Sequence, residues 1–181
     1  MPPSVVEEWN GITLIRDDLG VHKPRLYERA LSAQRIVEIG TRDGNSTRIF
    51  DKALQNAGRG GGLTSIDLDP PRNDWPAQHP VPHTTFLPGD SLTVAWAQEI
   101  DLLFIDGNHD HDQVIQELKK YGPWVHVGGR ILLHDILQNA FGNGVMKATA
   151  KWCDEVKLSW TVHVGGHGLG EIEVTHDLRR Q

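Results

Sequence analysis

Short apolar runs alternate along the chain with segments of helical spacing. Arg35-Ile-Val-Glu-Ile39 is rich in β-branched residues and leads straight into a turn containing glycine, which predicts a buried strand. Behind the turn, Ile49, Phe50, Ala53, Leu54 and Ala57 share one face of a helix, and Gly58 predicts its end. The alternation recurs. Leu63–Asp67 reads as a second strand and Thr84–Leu87 as a short third. Leu102–Ile105 reads as a fourth, without a polar residue, as in a strand covered on both faces. Val114, Ile115, Leu118 and Tyr121 mark a helix that Gly122-Pro123 ends, with Asp112 expected at its N-cap. Arg130–His134 is a fifth strand. Val145, Met146, Thr149, Trp152 and Val156 line another helix, with Trp152 in the core and Cys153 as a packed thiol. Leu158–Val164 and Glu171–Thr175, joined by VGGHGLG, predict a closing antiparallel pair.

Strands alternating with helices predict an α/β fold with a mostly parallel sheet. A single domain is expected over residues 1–181, with a short N-terminal helical segment over 1–33 and a core over 34–181. In such sheets ligands bind beyond the carboxyl ends of the strands, near the point where strand order reverses. The polar residues obey that rule. Glu38, Gly40 and Asp43 follow the first strand, and Asp67 and Asp69 the second. Gly89-Asp90-Ser91 follows the third, Asp106-Gly-Asn-His109 the fourth and His134-Asp135 the fifth. Loops at the other ends carry mostly Gln34, Gln98 and Gly128-Gly129. One edge of the sheet should therefore gather carboxylates and imidazoles.

The first loop has glycines only at 40 and 44, so it lacks both the dinucleotide fingerprint and the phosphate-binding loop. Glu38 and Asp43 would repel a pyrophosphate and suit a cationic ligand. Composition narrows the partners further. The chain of 181 residues has 24 acidic against 18 basic residues, a net charge of −6 that makes a poor binder of nucleic acid or anionic membrane. No run approaches the roughly 20 apolar residues of a membrane helix, and the first residues do not resemble a secretory signal. A single cysteine excludes an internal disulfide and any paired-cysteine metal site, and fits a cytoplasmic location.

Taken in order, E-x-G-x-x-x-G-x-S after a strand, SIDLD, GDS, IDGxH and GGxxLxHD resemble the class I S-adenosylmethionine-dependent methyltransferases. Within them the chain is similar to metal-dependent O-methyltransferases of small molecules, of the sugar and catechol type. The resemblance spans about residues 30 to 175. It implies a Rossmann-like fold with a mostly parallel seven-stranded sheet, a C-terminal antiparallel pair and helices on both faces. It implies S-adenosylmethionine as cofactor, with Glu38, Gly40, Thr41, Gly44 and Ser46 around its amino-acid part. Asp67 would take the ribose hydroxyls, and Asp90 and Ser91 would lie at the adenine. Asp106 would border both the cofactor and the acceptor. Asp106, His134 and Asp135 match the places where relatives hold a divalent metal, and His109 matches a base. Some relatives carry an acid where this chain has His134. Magnesium prefers oxygen ligands; manganese, iron or zinc tolerate imidazole better. His134 could instead support a ligand from behind or act as a base, and a metal-free enzyme stays open. The expected partner is a small-molecule acceptor, with loops or a second copy in a homo-oligomer selecting it.

Two other readings compete. Gly107-Asn-His-Asp110 is also a metallophosphoesterase signature, with His134, His163 and His167 as further ligands, but the upstream Asp-x-His is missing. A non-catalytic S-adenosylmethionine-binding module is the other. The Pro-rich Pro70–His83 is expected to be a loop, and Asn139–Gly144 could be a lid.

Overall fold

A computed structural model describes residues 6–15, 17–69, 71, 75–140 and 142–180. The chain opens with two short strands, β1 (Val6–Trp9) and β2 (Ile12–Ile15), paired antiparallel. Asn10 and Gly11 turn between them with φ of 49° and 75°. Two left-handed residues match the twist of a two-residue hairpin, which is why Asn-Gly favours it. The expected helical segment over 1–33 is thus corrected. It holds this hairpin, a 3-10 turn at Asp18–His22 and one helix, α1 (Lys23–Ser32). The alternation in Val-Glu-Glu-Trp-Asn-Gly-Ile-Thr-Leu-Ile carried the hairpin signal.

The rest alternates as expected: β3 (Arg35–Ile39), α2 (Asn45–Ala57), β4 (Gly62–Asp67), a one-turn α3 (Trp75–Gln78), β5 (Thr84–Pro88) and β6 (Ile100–Ile105). Then come α4 (His111–Tyr121), β7 (Val125–His134), α5 (Gly144–Val156), β8 (Trp160–His163) and β9 (Leu169–Glu173). Seven strands form one sheet in the order β5-β4-β3-β6-β7-β9-β8. β9 runs antiparallel to both neighbours, and the remaining pairs are parallel. The sheet is the Rossmann-like methyltransferase arrangement with its antiparallel C-terminal pair. From β3 the chain moves outward to β4 and β5, then returns to set β6 on the other side of β3. That reversal opens a crevice at the carboxyl ends of β3 and β6.

Successive residues of the central strands feed opposite cores. In β6, Leu102 and Phe104 face the layer of α1 and α2, while Leu103 and Ile105 face that of α4 and α5. In β7, Leu132 faces the first and Ile131 and Leu133 the second. An uninterrupted apolar strand is what burial on both faces requires. Gly58 ends α2 in the left-handed conformation, donating its N–H to the carbonyls of Leu54 and Gln55. Helix α4 starts two residues earlier than an N-cap at Asp112 would place it. Asp110 is its N-cap, and Asp112 lies in the first turn. Trp152 and Cys153 are buried as expected. Pro70 and residues 72–74 of the Pro-rich segment, and Phe141 of the expected lid, lie outside the described residues.

Leu103 is fully buried between β3 and β7. Leu103→Ala should cost about 2–5 kcal/mol of stability, read as a lower urea midpoint with an unchanged slope.

Candidate active site

A cleft of about 360 Å³ opens where the sheet predicts it. Gly40, Asp67, Asp90, Asp106, Gln113 and Glu117 are among the residues lining it. Its geometry starts at Gly40, which has φ of 97° and donates to the Ile66 carbonyl at 2.9 Å. A side chain there would overlap the main chain of Asp106 and Gly107. Next to it, Asp106 N donates to the Ile39 carbonyl at 2.8 Å. Glycine is therefore needed for the loops after β3 and β6 to touch.

Glu38 lies beneath this turn and is fully buried. Oε1 accepts from the Ser46 hydroxyl at 2.5 Å. Oε2 accepts from Thr47 at 2.6 Å and Ser65 at 2.5 Å. Thr41 shares a hydroxyl hydrogen bond of 2.6 Å with Ser65. Burial raises the Glu38 carboxyl to about 7, outweighing the three hydroxyls. Thus Glu38, Thr41 and Ser46 form one internal network that holds the start of α2 against β3 and β4. Gly44 is the left-handed N-cap of α2, with φ of 72°. Asp67 stands at the cleft wall. Its Oδ2 accepts the main-chain N–H groups of Thr41 at 2.7 Å and Arg42 at 3.1 Å, and its Oδ1 accepts from Asp69 N at 3.2 Å. Asp90 caps its own turn, accepting from Leu92 N at 2.8 Å. Ser91 is buried and donates to Glu117 Oε1 at 2.6 Å.

Beyond Asp106 lies a second cluster. His109 Nε2 is 3.1 Å from Asp135 Oδ2 and 3.9 Å from Asp106 Oδ1. His134 Nδ1 is 3.3 Å from both Asp106 Oδ1 and Asp135 Oδ2. Its Nε2 lies 2.9 Å from the Gly166 carbonyl, so that nitrogen must carry a proton. Burial opposes charge on His134, yet hydrogen bonds and charge from Asp106 and Asp135 raise it to about 11. Asp135 is held below the usual carboxylate range. Its burial is outweighed by the His134 hydrogen bond, the charges of His134 and His109, and the His167 hydrogen bond. It sits in the left-handed region, with φ of 57°, an uncommon backbone for a residue other than glycine. His167 bridges Asp135 Oδ1 at 3.0 Å and Asp18 Oδ2 at 2.7 Å.

The donor atoms of Asp106, His109 and Asp135 fall within 4.8 Å of one another, as do those of Asp18, His134 and Asp135. Two carboxylates with imidazoles fit a divalent cation of the manganese, iron or zinc kind. A ligating Nδ1 on His134, with Nε2–H on a carbonyl, is the usual outer support of such a site.

A family profile for a methyltransferase domain matches residues 37–136, more than half of the chain. The chain belongs to this methyltransferase family. It is an S-adenosylmethionine-dependent methyltransferase. Solved structures agree on the fold. The O-methyltransferase TomG of Streptomyces achromogenes, solved with S-adenosylmethionine, superposes with a TM-score of 0.63 at 17% identity, over 86% of this chain and 80% of that one. The S-adenosylhomocysteine-bound methyltransferase PaMTH1 of Podospora anserina gives 0.66 at 15%, over 96% and 91%. An O-methyltransferase of Bacillus cereus, also with S-adenosylhomocysteine, gives 0.58 at 15%, over 84% and 80%. The phosphoesterase alternative from Gly107–Asp110 gives way to this membership. Among the described residues no helix is long and apolar enough to cross a membrane.

The methyltransferase brings Asp67, Asp90, Ser91 and Asp106 to the cleft, with His109, His134 and Asp135 adjoining it. Sequence reasoning missed three participants. Gln113 and Glu117 lie one helical turn apart and face the cleft together. That spacing was readable, but nothing local marks which face of α4 meets a ligand. Asp18 joins from the 3-10 turn before α1, beside His134 and Asp135 and paired with His167, a placement that depends on long-range packing.

Folding binds a proton at Glu38, because its carboxyl titrates at 4.5 unfolded and about 7 folded. The associated stability is present below the lower value and is lost as pH rises toward the upper. Across that window the native protein should lose about 3 kcal/mol relative to Glu38→Gln, measured by urea unfolding at a series of pH values. Parallel profiles for the two proteins would refute the shift. Gly40→Ala should separate the two loops and weaken S-adenosylhomocysteine binding at least about tenfold, read by calorimetry.

Proposed function

We propose that the methyltransferase transfers a methyl group from S-adenosylmethionine to a hydroxyl of a small molecule. The observation that carries the reading is Asp106, which lines the donor cleft and also lies 3.3 Å from His134 in the neighbouring cluster. A donor in the cleft would therefore direct its methyl toward the imidazoles. In this reading Asp67 accepts hydrogen bonds from the ribose hydroxyls. The turn from Gly40 to Gly44 takes the amino-acid part, with Glu38, Thr41 and Ser46 setting its shape. Asp90 and Ser91 flank the base. Carboxylates along the cleft favour the sulfonium over the neutral thioether that remains after transfer.

The acceptor oxygen attacks the methyl carbon in line. The new O–C bond forms as the C–S bond breaks, and its electron pair returns to sulfur. The hydroxyl proton goes to the His109 imidazole. Asp135, 3.1 Å away, stabilises the resulting imidazolium. Asp106 and Asp135, with the imidazole of His134, would hold a divalent cation. When bound, that cation would lower the pKa of the acceptor hydroxyl and fix its position. The O-methyltransferases that share the fold, TomG and the Bacillus cereus enzyme, support oxygen as the atom methylated. Acceptor choice falls to the segments around Asp18 and His167, or to a second copy of the chain.

Calorimetric titration with S-adenosylhomocysteine, with and without manganese or zinc, tests the reading. Wild-type protein should bind without added metal, and Asp67→Ala should weaken binding about 10- to 100-fold. No binding to the wild type would overturn the assignment of the cleft. With a catechol or sugar acceptor that turns over, His109→Ala should lower kcat by about 10²–10⁴-fold while leaving S-adenosylhomocysteine affinity within about twofold. Loss of affinity without loss of kcat would remove His109 from the base role.

A further inference from the structure

Glu117 has a feature that the cleft's other carboxylates do not share. It lines the cleft, is 1% exposed, and its Oε2 has no hydrogen-bond partner among the described residues. Its other oxygen is fully engaged. Oε1 accepts from Ser91 Oγ at 2.6 Å and Gln113 Nε2 at 3.0 Å. Gln113 Nε2 also reaches Ser91 Oγ at 3.3 Å, so three side chains lock the carboxyl in one orientation. Buried acceptors in folded proteins are nearly always satisfied, and an exception calls for an explanation. Burial pushes this carboxyl above the usual range despite the Ser91 and Gln113 hydrogen bonds, as expected of a group still short of a donor.

Of the residues expected at the base, Ser91 is occupied through both its hydroxyl and its carbonyl, and Asp90 through one carboxylate oxygen. Asp90 Oδ1 takes Leu92 N, and the Ser91 hydroxyl is spent on Glu117. The Ser91 carbonyl accepts from the Tyr121 hydroxyl at 2.7 Å and from Lys120 Nζ at 2.6 Å. If Asp67 holds the ribose, the base extends past the exposed side chain of Leu68 toward the Asp90–Ser91 turn and α4. Adenine presents one strong donor at its edge, the 6-amino group. A fixed acceptor without a donor is its complement.

Resting on the donor-binding reading above, we infer that Glu117 is the specificity residue for the nucleobase, accepting a hydrogen bond at Oε2 from the 6-amino group of adenine. The side chain acts by excluding bases that place an acceptor there. Hypoxanthine, with a carbonyl oxygen at the same position, would set acceptor against acceptor.

The experiment compares S-adenosylhomocysteine with S-inosylhomocysteine by calorimetry, on wild type and on Glu117→Gln. Wild type should favour the adenine compound by about tenfold or more. Glu117→Gln can turn its amide NH₂ toward the hypoxanthine carbonyl, so the preference should fall below about threefold. Equal binding of the two compounds by wild type overturns the inference, as does an unchanged ratio in Glu117→Gln. If that variant fails to fold, judged by its thermal melt, the wild-type ratio decides alone. Failure of wild type to bind either compound removes the donor-binding reading and this inference with it.

Discussion

The main-chain contact between the Gly40 turn and the Asp106 loop is the constraint from which the site follows. Two parallel strands, β3 and β6, lie side by side, yet their connections leave in opposite directions. Something must hold their ends together while the loops diverge. The Asp106 N–H to Ile39 carbonyl hydrogen bond does so, and the missing side chain at Gly40 makes room for it. Asp106 is thereby fixed between the cleft and the imidazole cluster. Beneath the same turn, a carboxylate that no solvent reaches is surrounded by three hydroxyls. The stability cost of burying Glu38 is the cost of a turn whose main chain is preset before a ligand arrives.

Charge is concentrated at one rim in a way that would be unfavourable without its counter-ions. Asp18, Asp106 and Asp135 are interleaved with His109, His134 and His167, so that each carboxylate meets at least one imidazole. His134 is nearly fully buried and faces two carboxylates on Nδ1, while the Gly166 carbonyl fixes the opposite nitrogen. The pair of carboxylates thus has a built-in positive partner. Asp135 also occupies a left-handed backbone position at the end of β7. The strand could continue straight only by turning that carboxylate away from the cluster. Strain of this kind persists when surrounding contacts over-determine it, and Asp135 has contacts to His109, His134, His167 and Gln138.

Much of the arrangement was legible in the sequence because it depends on local rules. The apolar run Leu102–Ile105 marks a central strand, and Gly58 stops α2 with the left-handed backbone that favours glycine. Residues at strand ends reach the crevice by topology, so Asp67, Asp90, Asp106 and Asp135 could be placed together without knowing any contact. The N-terminal hairpin was legible too, in Asn10-Gly11, but its flanking strands are short, and a helical segment was expected there. What could not be read were pairings across long separations. Nothing near Asp18 announces His167, and nothing near Glu117 announces Ser91. Glu38 shows the other limit. Its position in the motif was plain, whereas its enclosure by Ser46, Thr47 and Ser65 depends on how α2 seats on the sheet.

The two halves of the site differ in how far apart their parts lie along the polypeptide. Everything around the cleft comes from one continuous stretch, from Glu38 to Tyr121. The imidazole cluster instead needs Asp18 from near the beginning and the Gly166–His167 loop between the last two strands. Contacts that close such long loops form late, since the entropy of closure precedes any reward. During synthesis, which proceeds from the N-terminus, the cleft can take shape while the final hairpin is still to be made. The imidazole cluster is completed only when that hairpin docks beside β7, so under the proposed function a chain that has not finished folding would hold the donor without a place to spend it.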